Sequence, residues 1–213
     1  MISYSSLPNK LISAPNGVDF AYRDTGDGEG GVPLVLFQHF RGNLDNWDPA
    51  LIDALAPARR VITGSFVAQQ VALTKPAIVR RLVLASAAPQ GAAGMHGWAP
   101  EVIGAVGTPV TGPEEYLGVF FARSSSSLAA GQEAMRRMYA RTEDRDAATS
   151  WATREAQYDA VCTWGIPDHA LLQRLGALER PVFVANGDSD PMILPHYSYL
   201  RTKPNRWPGG SAR

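Results

Sequence analysis

Four short apolar runs constrain this chain more than anything else in it: Pro33–Phe37 (PLVLF), Arg60–Thr63 (RVIT), Arg81–Ala85 (RLVLA) and Pro181–Ala185 (PVFVA). A strand with one wet face alternates apolar and polar residues. These runs do not alternate, so they predict strands buried on both sides, as in a parallel sheet covered by helices. Helix-like pieces separate them, Pro49–Leu55 and Ser65–Thr74 (SFVAQQVALT). Such alternation predicts an α/β fold, a mostly parallel sheet with helices on both faces. Ahead of it, Val18–Arg23 (VDFAYR) predicts an antiparallel strand, and Thr25–Gly31 (TGDGEGG) a turn.

Beyond Gly91 the character changes. GAAGMHGWAP reads as a loop, and an Ala-, Glu- and Arg-rich stretch follows with helical spacing. Helices are predicted over Leu128–Ala140, Ala147–Val161 and His169–Leu178, with Asp168 as N-cap of the last. A helical insertion of this length between two buried strands predicts a lid or cap. The chain is thus expected to divide into a core over residues 1–90, a cap over 91–178, and the rest of the core over 179–200. A polar, Pro- and Gly-rich tail over 201–213 is predicted to be disordered. Its 213 residues suffice for one domain with a sizeable core.

Composition excludes several classes of function. Twenty basic residues balance twenty acidic ones, which removes the electrostatic case for a nucleic-acid or anionic-membrane partner. The longest apolar run, Tyr116–Ala122, is far too short to cross a bilayer, and MISYSSLPNK lacks the pattern of a secretory signal. The single cysteine, Cys162, excludes an internal disulfide and a Cys-based zinc site and suits a reducing compartment, so a cytoplasmic location is expected. Cys162 is expected to be buried in the cap. The histidines at 39, 96, 169 and 196 show no H-x-x-H or H-E-x-x-H spacing, so no metal is implied. The expected partner is a small molecule, with no cofactor; nothing in the sequence sets an oligomeric state.

Three stretches together resemble the α/β-hydrolase superfamily, in particular its small esterase, lactonase and cofactor-free haloperoxidase-like branch. They are PLVLFQHFRGNLDNWDP (Pro33–Pro49), FVAQQVALTKPAIVRRLVLASAAPQG (Phe66–Gly91) and PVFVANGDSDPMILP (Pro181–Pro195). The resemblance implies a strand ending in a His-Gly-like turn at His39–Phe40, where the backbone N–H of Phe40 would form half of an oxyanion hole. It implies that Phe66 begins the helix after the nucleophile elbow. It also implies that the late G-x-x-D turn supplies the triad acid, at Asp190, with Asp188 as the competing carboxylate.

The superfamily's nucleophile sits in G-x-S-x-G, and its triad runs Ser, then Asp or Glu, then His. This chain contains no G-x-S-x-G. Reading back from Phe66, the serine would fall at Ile62 and the first glycine at Arg60. The resemblance implies an internal deletion: RRVIT matches the strand after the oxyanion loop and its helix, yet Thr63 joins Gly64 directly. A loop, a helix and the central strand are missing between them. The family's histidine is not evident either; His196 follows Asp190 too closely to be that base. Ser65 is the nearest hydroxyl to the missing elbow, a substitute nucleophile if it is not simply a helix-terminal residue. His39 reads as an orienter of the oxyanion loop, or as a base. His96 and Trp98 lie where a substrate-pocket mouth is expected, and each also reads as packing.

The resemblance thus implies cofactor-free hydrolysis of a small, apolar, ester-like substrate, impaired by the absent nucleophile and base. The alternatives are a ligand-binding pseudo-hydrolase without chemistry and a truncated gene product without a stable fold.

Overall fold

The computed structural model describes residues 3–26, 31–64, 68–95 and 97–200. The chain forms two compact units, Met1–Phe66 with Thr108–Gln157 and Val67–Gly107 with Tyr158–Arg213.

The first unit is built on a four-stranded sheet. β1 (Lys10–Ser13) and β2 (Asp19–Asp24) form a hairpin, β2 runs antiparallel to β4 (Val61–Gly64), and β4 runs parallel to β3 (Leu34–Phe37). The order is β1-β2-β4-β3. Helix α1 (Pro49–Leu55) starts as its sequence predicts, with Pro49 in the first turn and the Asp48 carboxylate accepting the Ala50 N–H at 3.0 Å. It buries Ile52 against Tyr4, Leu7 and Val61. Helices α4 (Pro113–Phe120) and α5 (Ser125–Met138) pack through Gly131, where an added Cβ would lie 2.5 Å from Leu117 Cδ2. Ser124 caps α5, its Oγ accepting from Ser127 N–H. The run of four serines, Ser124–Ser127, therefore starts a helix.

A buried ionic network crosses this unit. Arg23 is 1% exposed and Asp45 5%, and their side chains meet at 2.7 Å. Arg23 Nε also donates to Asn9 Oδ1 at 2.7 Å, and Asp45 Oδ2 accepts the Asp146 N–H at 2.8 Å. Arg141, 7% exposed, donates to the carbonyls of Ser5 and Leu7 at 2.9 and 2.8 Å. A cavity of ≈ 10 Å³ lined by Tyr4, Arg23, Asp45, Trp47 and Arg141 has room for about one water.

At the end of β2, Asp24 accepts a two-pronged bond from Arg60, at 2.9 and 2.6 Å. That bond holds its carboxyl at about 2, below the ordinary 3.8. The folded form is therefore favoured above the ordinary carboxylate range, and this contribution disappears as pH falls from about 4 toward 2. Arg60 is 40% exposed, so the effect is discounted to about 1 kcal/mol. Asp24→Asn is expected to flatten that part of the acid-unfolding curve, followed by near-UV circular dichroism.

The second unit holds the other two apolar runs, as the parallel pair β5 (Leu82–Ala85) and β6 (Val182–Ala185). Helix α2 (Ala68–Thr74) covers one face, with Ala72, Leu82 and Leu84 buried together. A second cluster joins Ala88, Ala92, Met95 and Tyr197, the last lying in the short helix α8 (His196–Tyr199). Helix α3 (Pro100–Val106) begins at a proline, and α7 (His169–Arg174) is capped as predicted, Asp168 Oδ1 accepting from Ala170 and Leu171 N–H. Helix α6 (Trp151–Trp164) contributes to both units.

The apolar runs are strands, but they are not buried on both faces. Along β5, Leu82 and Leu84 are 6% and 4% exposed while Val83 is 56% exposed, and Phe183 opposite it on β6 is 63% exposed. The four runs also divide between two sheets. Both differences are consistent with missing core elements, since a strand lacking its neighbour and the helix that follows lacks cover on that side. The sequence reading missed β1, α3 and α4; α3 starts at Pro100, the end of what read as loop, and α4 at Pro113, in the stretch read as helical in spacing.

Candidate functional site

The turn after β3 is half-buried and carries buried polar side-chain atoms. Gly42 N–H donates to His39 O at 2.9 Å, and Arg41 between them has φ = +60°. A non-glycine residue in that region is uncommon and is held there by its surroundings. Here the Arg41 guanidinium donates to Thr108 O at 2.7 Å and Pro109 O at 2.9 Å. Its N–H donates to Gln157 Oε1, and its carbonyl accepts from Thr149 Oγ1, both at 2.7 Å.

This anchoring orients His39 and Gln38. His39 Nδ1 lies 2.8 Å from Phe40 O. A carbonyl only accepts, so Nδ1 carries the proton and Nε2 presents a lone pair. Burial lowers the His39 pKa and so favours the neutral ring. The ring packs 5.1 Å from Phe120 and 6.0 Å from Tyr116 on α4, where burial pushes the Tyr116 hydroxyl up to about 12. His39 Nε2 and both amide atoms of Gln38, 6% exposed, are buried without hydrogen-bond partners among the described residues. They converge beside Gly42, where an added Cβ would lie 3.0 Å from Gln38 Oε1 and 3.1 Å from His39 Nε2. Unpaired buried polar atoms each cost about 1–3 kcal/mol. Chemically, the turn offers one imidazole acceptor and one carboxamide. The sequence reading named His39 but missed Gln38, whose only signal was a glutamine directly after an apolar strand.

In the second unit the turn after β6 carries Asp190. Its Oδ1 accepts from Met192 N–H at 2.9 Å and Ile193 N–H at 2.8 Å, so the carboxylate organises its own turn. Asn186 Nδ2 ties the same turn to Ile193 O at 2.9 Å. Asp188 is exposed and accepts from Ser189 Oγ at 3.0 Å. Trp98 is 6% exposed, with its ring edge-on to Tyr158 at 5.5 Å. His169 lies exposed at the start of α7, its Nε2 2.9 Å from Gln173 Nε2. Cys162 is half-buried in α6, less enclosed than expected. Ser65 and His96 lie outside the described residues, as do the tail from 201 and most of the GDGEGG turn.

The structure therefore brings His39 and Phe40 together in the first unit and holds Trp98 and Asp190 in the second. Among the described residues no three His, Cys, Asp or Glu side chains gather as a metal site, and no helix is long and apolar enough to cross a membrane.

Parallel strands with polar turns at their C-terminal ends, one carrying the half-buried His39 and one carrying Asp190, make up an α/β fold. A model of the alpha/beta hydrolase fold family matches residues 63–206, and the chain belongs to that family. A comparison with curated proteins gives no match. Among solved structures, an alpha/beta hydrolase fold protein from Chitinophaga pinensis is 27% identical with a TM-score of 0.80, over 93% of this chain and 86% of that one. An enol-lactonase from Burkholderia xenovorans LB400 is 14% identical with a TM-score of 0.60, over 90% and 86%. An esterase from Rhodococcus sp. ECU1013 is 16% identical with a TM-score of 0.58, over 92% and 86%. The last two share the fold.

Proposed function

We propose that this protein derives from enzymes that hydrolyse small, apolar, ester-like substrates without a cofactor, and that this chemistry is impaired in it. The observation that carries the reading is local. Only residues 65–67 separate β4 from α2, too few to hold the further strand on which the family presents its nucleophile elbow. Asp190, the acid by resemblance, already has Oδ1 engaged by two backbone N–H groups. A serine hydroxyl without a base is a poor nucleophile at neutral pH, so Ser65 does not restore the site. Phe40 keeps its oxyanion role by resemblance, Trp98 and His96 remain pocket candidates, and the helical segment 91–178 is the cap in this reading.

The test is turnover of p-nitrophenyl acetate and butyrate by the full chain and its Ser65→Ala variant. The expected rate is that of buffer for both. Turnover that Ser65→Ala abolishes would overturn the reading and restore an active enzyme.

The unpaired Gln38 amide and His39 Nε2 favour a second reading, a ligand-binding pseudo-hydrolase. Saturable heat on titrating a p-nitrophenyl ester, without release of p-nitrophenol, would support it. A broad, non-cooperative melt in near-UV circular dichroism would instead support a remnant without a stable fold.

A further inference from the structure

An asparagine followed by glycine is open to attack by its own backbone, because glycine puts no side chain beside the attacking nitrogen. The pair occurs twice in this chain, at Asn16–Gly17 and at Asn186–Gly187. The fold holds the two in opposite ways.

Asn16 sits at the tip of the β1–β2 hairpin. Gly17 N–H donates to Ala14 O at 2.9 Å and Ala14 N–H to Val18 O at 2.8 Å, with Gly17 at φ = +81°. Asn16 Oδ1 accepts from Val18 N–H at 3.2 Å. A side chain bonded to the N–H two residues on is folded back over the intervening peptide, here the one that carries the Gly17 nitrogen. The same bond places a donor on the oxygen that gains charge when that nitrogen attacks Cγ. Pro15, Asn16 and Gly17 are exposed, and nothing lies within 4 Å of a Cβ added at Gly17, so a ring has room to close. At Asn186 the carboxamide nitrogen is tied down instead, Nδ2 donating to Gly187 O at 3.0 Å and Ile193 O at 2.9 Å. Asn186 Oδ1 is buried with no hydrogen-bond partner among the described residues, so charge developing on it would be desolvated and unsupported.

We propose that Asn16 is a self-modification site, at which the hairpin turn converts its own asparagine to aspartate and isoaspartate. Gly17 N gives its proton to hydroxide and forms a bond to Asn16 Cγ. The Cγ–Nδ2 bond breaks, ammonia leaves with a proton from water, and a five-membered succinimide closes. Water then opens the imide. Cleavage between Cγ and the Gly17 nitrogen gives aspartate; cleavage at the Asn16 backbone carbonyl gives isoaspartate, in which the chain runs through Cβ and Cγ. No oxidant or reductant enters. Either product adds one negative charge to a chain whose 20 basic and 20 acidic residues balance. Isoaspartate also lengthens the turn by one backbone carbon. Loop length fixes the register of a hairpin, so the bonds among Ala14, Gly17 and Val18 are lost.

The test incubates the full chain in mildly alkaline buffer and follows it by peptide mapping, where the fragment Leu11–Arg23 has Asn16 as its one asparagine. Asn16 is expected to convert about tenfold faster than Asn186, a barrier difference of about 1.4 kcal/mol. Both isoaspartate and aspartate are expected, at a rate that rises with pH. Gly17→Ala, which sets a methyl group beside the attacking nitrogen, is expected to slow conversion at Asn16 about tenfold. Equal rates at Asn16 and Asn186 would overturn the proposal. So would aspartate without isoaspartate, the mark of direct hydrolysis, or an unchanged rate in Gly17→Ala. The two asparagines are compared within the unaltered chain, so the proposal stays testable if the variant fails to fold.

Discussion

Asp45→Ala is expected to cost about 3 kcal/mol, because it leaves the buried Arg23 with only the more distant Asp146 carboxylate, at 4.0 Å, as counter-ion. Arg23 is 1% exposed and its guanidinium is 2.7 Å from Asp45. Asp45 also receives the Asp146 N–H and lies 3.7 Å from Arg141 and 3.8 Å from Arg145. Asp146 in turn accepts from Leu44 N–H at 2.7 Å and from Asn9 Nδ2 at 3.2 Å. Removing Asp45 therefore unfastens the N-terminal segment, the loop after β3 and the 141–146 segment at once. With total stability of about 5–15 kcal/mol for an ordinary domain, such a loss would take a large share of it. Urea titration of Asp45→Leu, Arg23→Met and the double variant separates burial from pairing. The double variant is expected to recover several kcal/mol relative to the summed single effects. Additive costs would mean that the two residues do not act as a pair.

Gly91→Ala is the second large effect. Gly91 has φ = +82°, and a Cβ there would collide with the backbone oxygen of Asp168. The same residue is pinned by two backbone bonds, Gly91 N–H to Trp164 O at 3.0 Å and Asp168 N–H to Gly91 O at 3.1 Å. The chain cannot relax the collision without breaking them. Backbone strain of about 1–2 kcal/mol and about 1 kcal/mol for each lost bond add to about 3–4 kcal/mol. A fall in Tm of about 10 °C is expected. Gly17→Ala provides the control: φ is +81°, but nothing lies within 4 Å of the added Cβ. Its cost is expected to be the strain alone, about 1–2 kcal/mol. Equal losses for the two variants would remove the steric argument at Gly91.

The strands and several helix starts were legible because local chemistry decides them. Pro49 and Asp48 start α1, Asp168 caps α7, and each of the four apolar runs is a strand. Their burial was not legible. A run such as LVLA shows that its residues suit a sheet interior; whether a neighbour exists to cover Val83 depends on segments elsewhere in the chain. Helix α3 was missed because Pro100 read as a loop residue, when a proline in the first helical turn loses no hydrogen bond; α4 starts the same way at Pro113, in the stretch whose helical spacing was read without a helix being placed there. Of the candidate site, the resemblance singled out the turns at His39–Phe40 and at Asp190. It did not indicate that Asp190 would spend Oδ1 on Met192 and Ile193, because backbone capping within a turn leaves no mark on residue identity. The absent G-x-S-x-G was the clearest signal in the sequence.

The chain passes between its two units at residues 66/67, 107/108 and 157/158, the last crossing falling inside α6. Neither unit is therefore a contiguous stretch of polypeptide. During synthesis the first unit waits for its sequence up to Gln157, by which time 41 residues of the second, Val67–Gly107, have already been made and wait in turn for Tyr158 onward. Both must hold apolar segments in reserve while the missing halves are translated. A ribosome paused anywhere between residues 108 and 157 would display two unfinished cores on a single nascent chain, a natural target for holdase chaperones.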